Sequence, residues 1–159
     1  MRVVQPIDMP MSTRLFRRSS EDDGAVLIEF ALVIGLFFML VFGMVDFGLA
    51  INTKTQMANA GREGARLGSV NPVESDVVDR VREAAANLDQ TILGVTVKCE
   101  KPDDTPCPGT PLGHISNAVS GDSIIVVVDY TYDLLTPLPG FINSGNDVVL
   151  QSVTEMRFE

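Results

Sequence analysis

Residues 30–45 form sixteen consecutive positions with neither a charge nor a polar side chain, bracketed by Glu29 and Asp46. Such a stretch must be buried in protein or in lipid. The wider apolar zone, residues 25–51, has 27 residues and reaches about 40 Å as a helix rising 1.5 Å per residue. A hydrocarbon core of about 30 Å is crossed by about 20 residues. Covering such a helix inside a soluble protein needs more chain than a 159-residue sequence leaves over. The stretch therefore predicts a transmembrane helix over 25–51, with Glu29 and Asp46 near opposite edges of the bilayer.

Composition supports an uneven chain. Mean hydropathy is +0.20 although 21% of residues are charged, so the apolar residues are concentrated. Acidic residues outnumber basic ones by 21 to 12, which argues against a nucleic-acid binder. Two Cys and one His exclude a disulfide-dense mini-protein and a multi-site metalloprotein. Residues 71–159 hold fourteen Asp/Glu and five Lys/Arg, a formal charge of −9. Arg14, Arg17 and Arg18 precede the apolar zone and only Lys54 follows it closely. The positive-inside rule then puts the N-terminus in the cytoplasm and the acidic C-terminal part outside.

A carboxylate within an apolar helix is costly and marks a functional position with a partner. Glu29 is that residue, five positions after Gly24 and directly before Phe30. A cut between Gly24 and Ala25 creates an ammonium group at Ala25, one helical turn from Glu29. A neighbouring subunit's ammonium meeting Glu29 in low dielectric would fix the stagger between helices.

Gly24-Ala25-Val26-Leu27-Ile28-Glu29-Phe30 resembles the prepilin processing site, in the G-x-x-x-x-E-[FY] form of pseudopilins from tight-adherence (Tad) pilus systems. Phe42-Gly43-Met44-Val45-Asp46-Phe47-Gly48 resembles the F-G-x-x-E/D-F-G run of TadE-like proteins. Asn59-Ala60-Gly61-Arg62-Glu63-Gly64-Ala65-Arg66 resembles their N-A-A-R-E-G-A-R stretch. Gly61 stands where Ala is usual and Asp46 where Glu is common. The three segments follow in the family's order and spacing over residues 24–66, and the C-terminal 90 residues match no motif.

The resemblance implies a leader, residues 1–24, removed after Gly24 by an aspartate-type prepilin peptidase. It implies a minor pilin-like subunit in biogenesis of an adhesive Tad/Flp pilus, without enzymatic activity or cofactor. Its partners would be the lipid bilayer, the peptidase, other pilin-like subunits and pilus assembly proteins. Its place would be the cell membrane as a single-pass protein, or the pilus itself.

Two readings from other classes stand beside this one. An uncleaved single-span protein would use its outer domain to bind a partner. A secreted protein would be cut after Ala50, since a basic region, an apolar stretch and the small residues Gly48 and Ala50 imitate a signal peptide. Against secretion, the apolar stretch exceeds the 7–15 residues of a signal-peptide core and carries Glu29. No catalytic constellation is visible.

Beyond the membrane, residues 52–70 predict a continuation of the helix. Gly61, Gly64, Ala65 and Gly68 recur on one face and allow close backbone approach, either of a sister helix or of the chain's own outer domain. Asp46 either caps the span at the outer interface or pairs with a basic partner. Residues 71–159 predict an extracytoplasmic α+β domain. Asn71-Pro72-Val73-Glu74 reads as a capped helix start. The helix runs to about Leu88 with Val77, Val81, Ala84, Ala85 and Leu88 on its apolar face and Asp76, Asp79, Arg80 and Glu83 in water. Alternation predicts strands over 93–100, with Leu93, Val95, Val97 and Cys99 on one face, and over 124–132, with Ile124, Val126, Val128, Tyr130 and Tyr132 on one face. A third spans 148–158, burying Leu150, Met156 and Phe158. The fold class is thus α+β: a long transmembrane helix extending outside the membrane, one amphipathic helix and a small antiparallel sheet. Cys99 and Cys107 bracket nine residues in a Pro/Gly-rich stretch and are expected to oxidise outside the cytoplasm. Zinc held by Cys99, Cys107 and His114 lacks a fourth ligand, and His114 reads as a loop residue.

Overall fold

The computed structural model describes residues 20–109, 111–134 and 147–159. Most of the expected leader, with Arg14, Arg17 and Arg18, lies outside the described residues. The element order is helix α1 (Ser20–Gly68), helix α2 (Glu74–Ala84), strand β1 (Leu93–Glu100), a 3-10 turn (Ile115–Asn117), strand β2 (Ser123–Asp133) and strand β3 (Asp147–Arg157). This is an α+β fold with a long apolar N-terminal helix, a shorter helix and a three-stranded antiparallel sheet. The chain divides into one unit ending at Leu40 and another from Val41 to Glu159.

In the first unit the described residues form helix only. From Ala25 to Leu40 every side chain is exposed except the half-buried Ile34. The helix forms there because residues 25–40 hold no proline and one interior glycine, Gly35. Among the described residues one helix is long and apolar enough to cross a membrane, and none of its most apolar window is buried.

In the second unit the sheet has the order β1-β2-β3. Leu93 pairs with Tyr130 and Cys99 with Ile124, while Val126 pairs with Thr154 and Tyr130 with Leu150. This register puts Leu93, Val97, Cys99, Ile124, Val126 and Val128 on one face, all buried. The C-terminal part of α1 lies along that face, antiparallel to β2. Gly61 meets Val128 and Thr154, and Gly68 meets Ile124. Asp46, further back along α1, is close enough to Tyr132 for its charge to act on the phenol. α2 packs on α1 through Val77 and Val81, both fully buried. Met57 and Ala60 of α1 complete this core, each fully buried valine, isoleucine or methionine contributing about 1.5–3 kcal/mol.

Three sequence expectations need correction. Asn71 does not cap α2: Val73 is the N-cap and no side chain caps there. The Asn71 amide instead donates to Asp76 Oδ2 at 3.1 Å, and its backbone N–H bonds back to Leu67 O at 2.8 Å, so it closes α1 rather than opening α2. The helix also stops at Ala84, and Ala84 is exposed. The apolar face continues through Ala85 and Leu88 because turns replace the helix, and the Gln90 amide takes the Ala85 and Leu88 carbonyls at 2.8 and 3.0 Å. On β3, Leu150 and Met156 are only half-buried. Ser152 is the buried residue of that strand, since its small side chain fits where the sheet is covered. Phe158 lies just past the strand end and packs against the core, held by Phe158 N–H donating to Asp122 O at 2.7 Å.

Candidate processing and packing site

The residues expected at the processing site, Gly24, Ala25, Glu29 and Phe30, all lie on α1 in the first unit. α1 already begins at Ser20, so Gly24 is its fifth residue rather than its boundary. First turns fray because their N–H groups lack partners, and glycine weakens a helix by about 1 kcal/mol against alanine. Ala25 and Glu29 are exposed and one turn apart.

The remaining family-motif residues lie in the second unit, and their surroundings differ sharply. Nothing lies within 4 Å of a side chain built at Gly43 or Gly48, and Phe47 is exposed. Asp46 between them is 3% exposed. Burial pushes the nearby Tyr132 phenol up, and the Asp46 charge adds to that.

The second stretch is a packing device. Gly61, Gly64 and Ala65 are buried. A Cβ at Gly61 would stand 2.9 Å from Thr154 Oγ1, one at Gly68 would stand 2.9 Å from Ile124 Cγ2, and one at Gly64 would fall on Val81 Cγ2. The glycine face of α1 is therefore occupied by the chain's own sheet and α2. Of the two occupants open to it from sequence, a sister helix or its own domain, the structure assigns the second.

Around this seam runs a chain of charges. Asn59 Oδ1 accepts from Arg62 Nη1 at 3.0 Å. Glu63 accepts from Arg80 of α2 at 3.0 Å and from Arg66 at 3.4 Å. Arg80 also reaches Glu83 at 3.0 Å. The Arg80 guanidinium, with help from Arg66, holds the Glu63 carboxyl below its ordinary range. Arg80 is thus a tie between α1 and α2, whereas sequence placed it on a solvated face. Its i, i+3 spacing to Glu83 was visible, but nothing in the sequence linked it to Glu63.

A second cluster closes the loop after β1. Cys99 and Cys107 are joined by a disulfide with Cα atoms 5.4 Å apart, and both are fully buried. Asp122, 4% exposed, places Oδ2 3.4 Å from Cys107 Sγ, and the same oxygen accepts from Val119 N–H at 3.0 Å. These three side chains converge, but sulfurs bonded to each other offer no thiolate to a metal. No sequence signal singled out Asp122. His114, expected as a plain loop residue, caps the 3-10 turn: Nδ1 accepts from Ser116 N–H at 3.2 Å. That leaves Nε2 to donate to Glu74 Oε2 at 2.6 Å, joining the loop to the start of α2. The adjoining open cleft, about 420 Å³, is lined by Glu74, Lys98, Glu100, Pro106, Leu112 and His114 and gathers no nucleophile-and-base pair.

The described residues hold one candidate membrane helix and a small α+β unit built on the C-terminal part of α1. Residues 24–66 match the model of the TadE-like protein family. No curated protein and no solved structure matches the chain. A TadE-like segment supports a part in Tad-type pilus assembly, and this pilus-assembly family is not an enzyme family. The family match and the apolar helix fit a single-pass membrane protein.

Proposed function

We propose that this chain is a minor pilin-like subunit in biogenesis of a Tad/Flp-type adhesive pilus. In this reading a prepilin peptidase cuts after Gly24, the new N-terminus at Ala25 stays on the cytoplasmic side, and the C-terminal domain stands outside. The observation that carries it is Glu29, the acid one turn from Ala25 in a helix whose next sixteen residues are all apolar. The span itself would cover residues 25–45, about 31 Å of helix, which suits a hydrocarbon core of about 30 Å. It ends at Asp46, earlier than the 25–51 expected from composition, because Asp46, Thr53, Met57 and Ala60 are already buried in the second unit. Arg14, Arg17 and Arg18 ahead of the span, against Lys54 alone close behind it, support this orientation.

N-terminal sequencing of the membrane-bound protein, with and without an active prepilin peptidase, tests the reading. The expected start is Ala25 with the peptidase and an intact leader without it. Gly24→Leu should block cutting while membrane insertion persists. Glu29→Gln should be cut yet fail to enter assemblies. An intact leader beside an active peptidase supports the uncleaved single-span alternative, and a start at Ile51 supports secretion.

A further inference from the structure

The sheet has a second face, turned away from α1. The register sets its residues in rows across the three strands. One row is Lys98, Ile125 and Glu155; the next toward the strand ends is Glu100, Ser123 and Arg157. On the other side lies Thr96, Val127 and Val153. Val153 is 60% exposed, while Ile125 and Val127 are half-buried. An apolar strip thus runs along β2 and β3, with Lys98 and Glu100 along the β1 margin and Glu155 and Arg157 along the β3 margin.

The order of charges is reversed between the two margins. Lys98 shares its row with Glu155, and Glu100 shares its row with Arg157. Two strand spacings, about 9.6 Å, separate the members of a row. Among the described residues none of these four has an ion-pair partner.

We infer that this outer face packs against the same face of a second copy about a twofold axis lying along the strands over β2. That operation lays β1 of one copy opposite β3 of the other at the same height. Lys98 then faces Glu155 of the second copy, Glu100 faces Arg157, and Val127 meets its own counterpart on the axis. Every charge in the two rows finds its opposite, twice over, as an isologous contact requires. Facing sheets pack about 10 Å apart, with strands within about 30° of each other. Asp129 and Asp133 are the acids on this face of β2, and Asp133 pairs with Asp147 of β3. Asp129 lies in the row beyond Val127, its Oδ1 accepting from Gln151 Nε2 at 2.9 Å, and Asp133 lies at the far end of the strand.

β2 runs along the part of α1 that packs on it, so a twofold parallel to β2 leaves the two copies of that helical part pointing the same way. The face offers on the order of 350 Å² per copy, from a sheet about 14 Å wide, well under the roughly 800 Å² per partner of a stable free complex. It therefore serves copies already concentrated on one membrane or polymer. The inference does not need the pilus reading, because the pairing is read without a peptidase.

The full-length protein in membranes tests it. Facing Cβ atoms are too far apart for a direct disulfide, so a short bis-maleimide is the probe. Val127→Cys should cross-link to itself roughly tenfold faster than Thr55→Cys on the exposed side of α1. Adding Lys98→Glu should lower that rate about tenfold by setting like charges opposite each other, and Lys98→Glu with Glu155→Lys should restore it. Far-ultraviolet circular dichroism of each variant checks that the fold persists. Equal rates at positions 127 and 55 overturn the inference. So does a charge reversal without effect, or a double reversal that fails to restore the rate.

Discussion

At the residue scale, α1 uses glycine for two different ends, and substitution separates them. Gly64 faces Val81, which is fully buried. Alanine there would force the packed valine aside, and overpacking of this kind costs about 1–3 kcal/mol. Helix propensity returns about 1 kcal/mol, so packing outweighs it. Gly64→Ala should lower the thermal midpoint in detergent, followed by circular dichroism. Gly43→Ala, with nothing within 4 Å, should not lower it. Glu63 makes a prediction in pH. Its carboxyl is held below its ordinary value of 4.5 in the folded chain by Arg80 and Arg66. The unfolded chain therefore takes up the proton first as pH falls. The stabilisation is complete above that value and is lost as pH drops through the folded carboxyl's lower one. Glu63→Gln should flatten this part of the midpoint-against-pH curve, leaving a residual slope from Asp89 and Asp103, which their threonine neighbours also lower.

At the scale of elements, the loop after β1 is shaped by its cross-link. Cys107 N–H donates to Cys99 O at 3.0 Å, and Gly113 N–H donates to Cys107 O at 2.9 Å, so the turn is also pinned through its backbone. Replacing both cysteines by serine should cost about 2–3 kcal/mol on the chain-entropy estimate for so short a loop, read as a drop in midpoint. Because both sulfurs are fully buried, mild reductant should act on the native protein only as fast as the loop opens. The elements differ in how much of them the sequence disclosed. Period two made the buried Leu93, Val97, Cys99, Ile124, Val126 and Val128 of β1 and β2 legible, while Tyr130 and Tyr132, expected on the buried face, are only half-buried because the alternation fades toward the end of β2. The start of α2 was misread because Asn71 offers the same residue type to a cap and to a side-chain bond with Asp76. On β3 the buried position is a serine, which no hydrophobic pattern reveals. The glycine stripe announced a close approach but not its occupant, and the Glu63–Arg80 tie joins residues seventeen apart, beyond any local spacing rule.

At the scale of the whole molecule, one chain carries sequences suited to two solvents. Residues 71–159, with a formal charge of −9, suit water. Residues 25–45 hold fourteen Leu, Ile, Phe and Val, worth about −0.3 to −0.6 kcal/mol each at the centre of a span. Their sum is on the order of −4 to −8 kcal/mol, somewhat reduced by Glu29 near one edge. An arginine at the centre costs about 2.5–3.5 kcal/mol. A single Leu36→Arg change, close to the middle of the span, is therefore outweighed, and the variant should stay in membranes washed at alkaline pH. Adding Leu40→Arg brings the penalty to about the size of the driving force, and the double variant should be largely extracted. Asn52→Arg with Thr55→Arg, two arginines at exposed positions of α1 beyond Asp46, should leave insertion unchanged. Extraction of the Leu36→Arg single variant would mean that the helix holds the bilayer far less firmly than its composition requires, and that the apolar run serves to pack against protein instead.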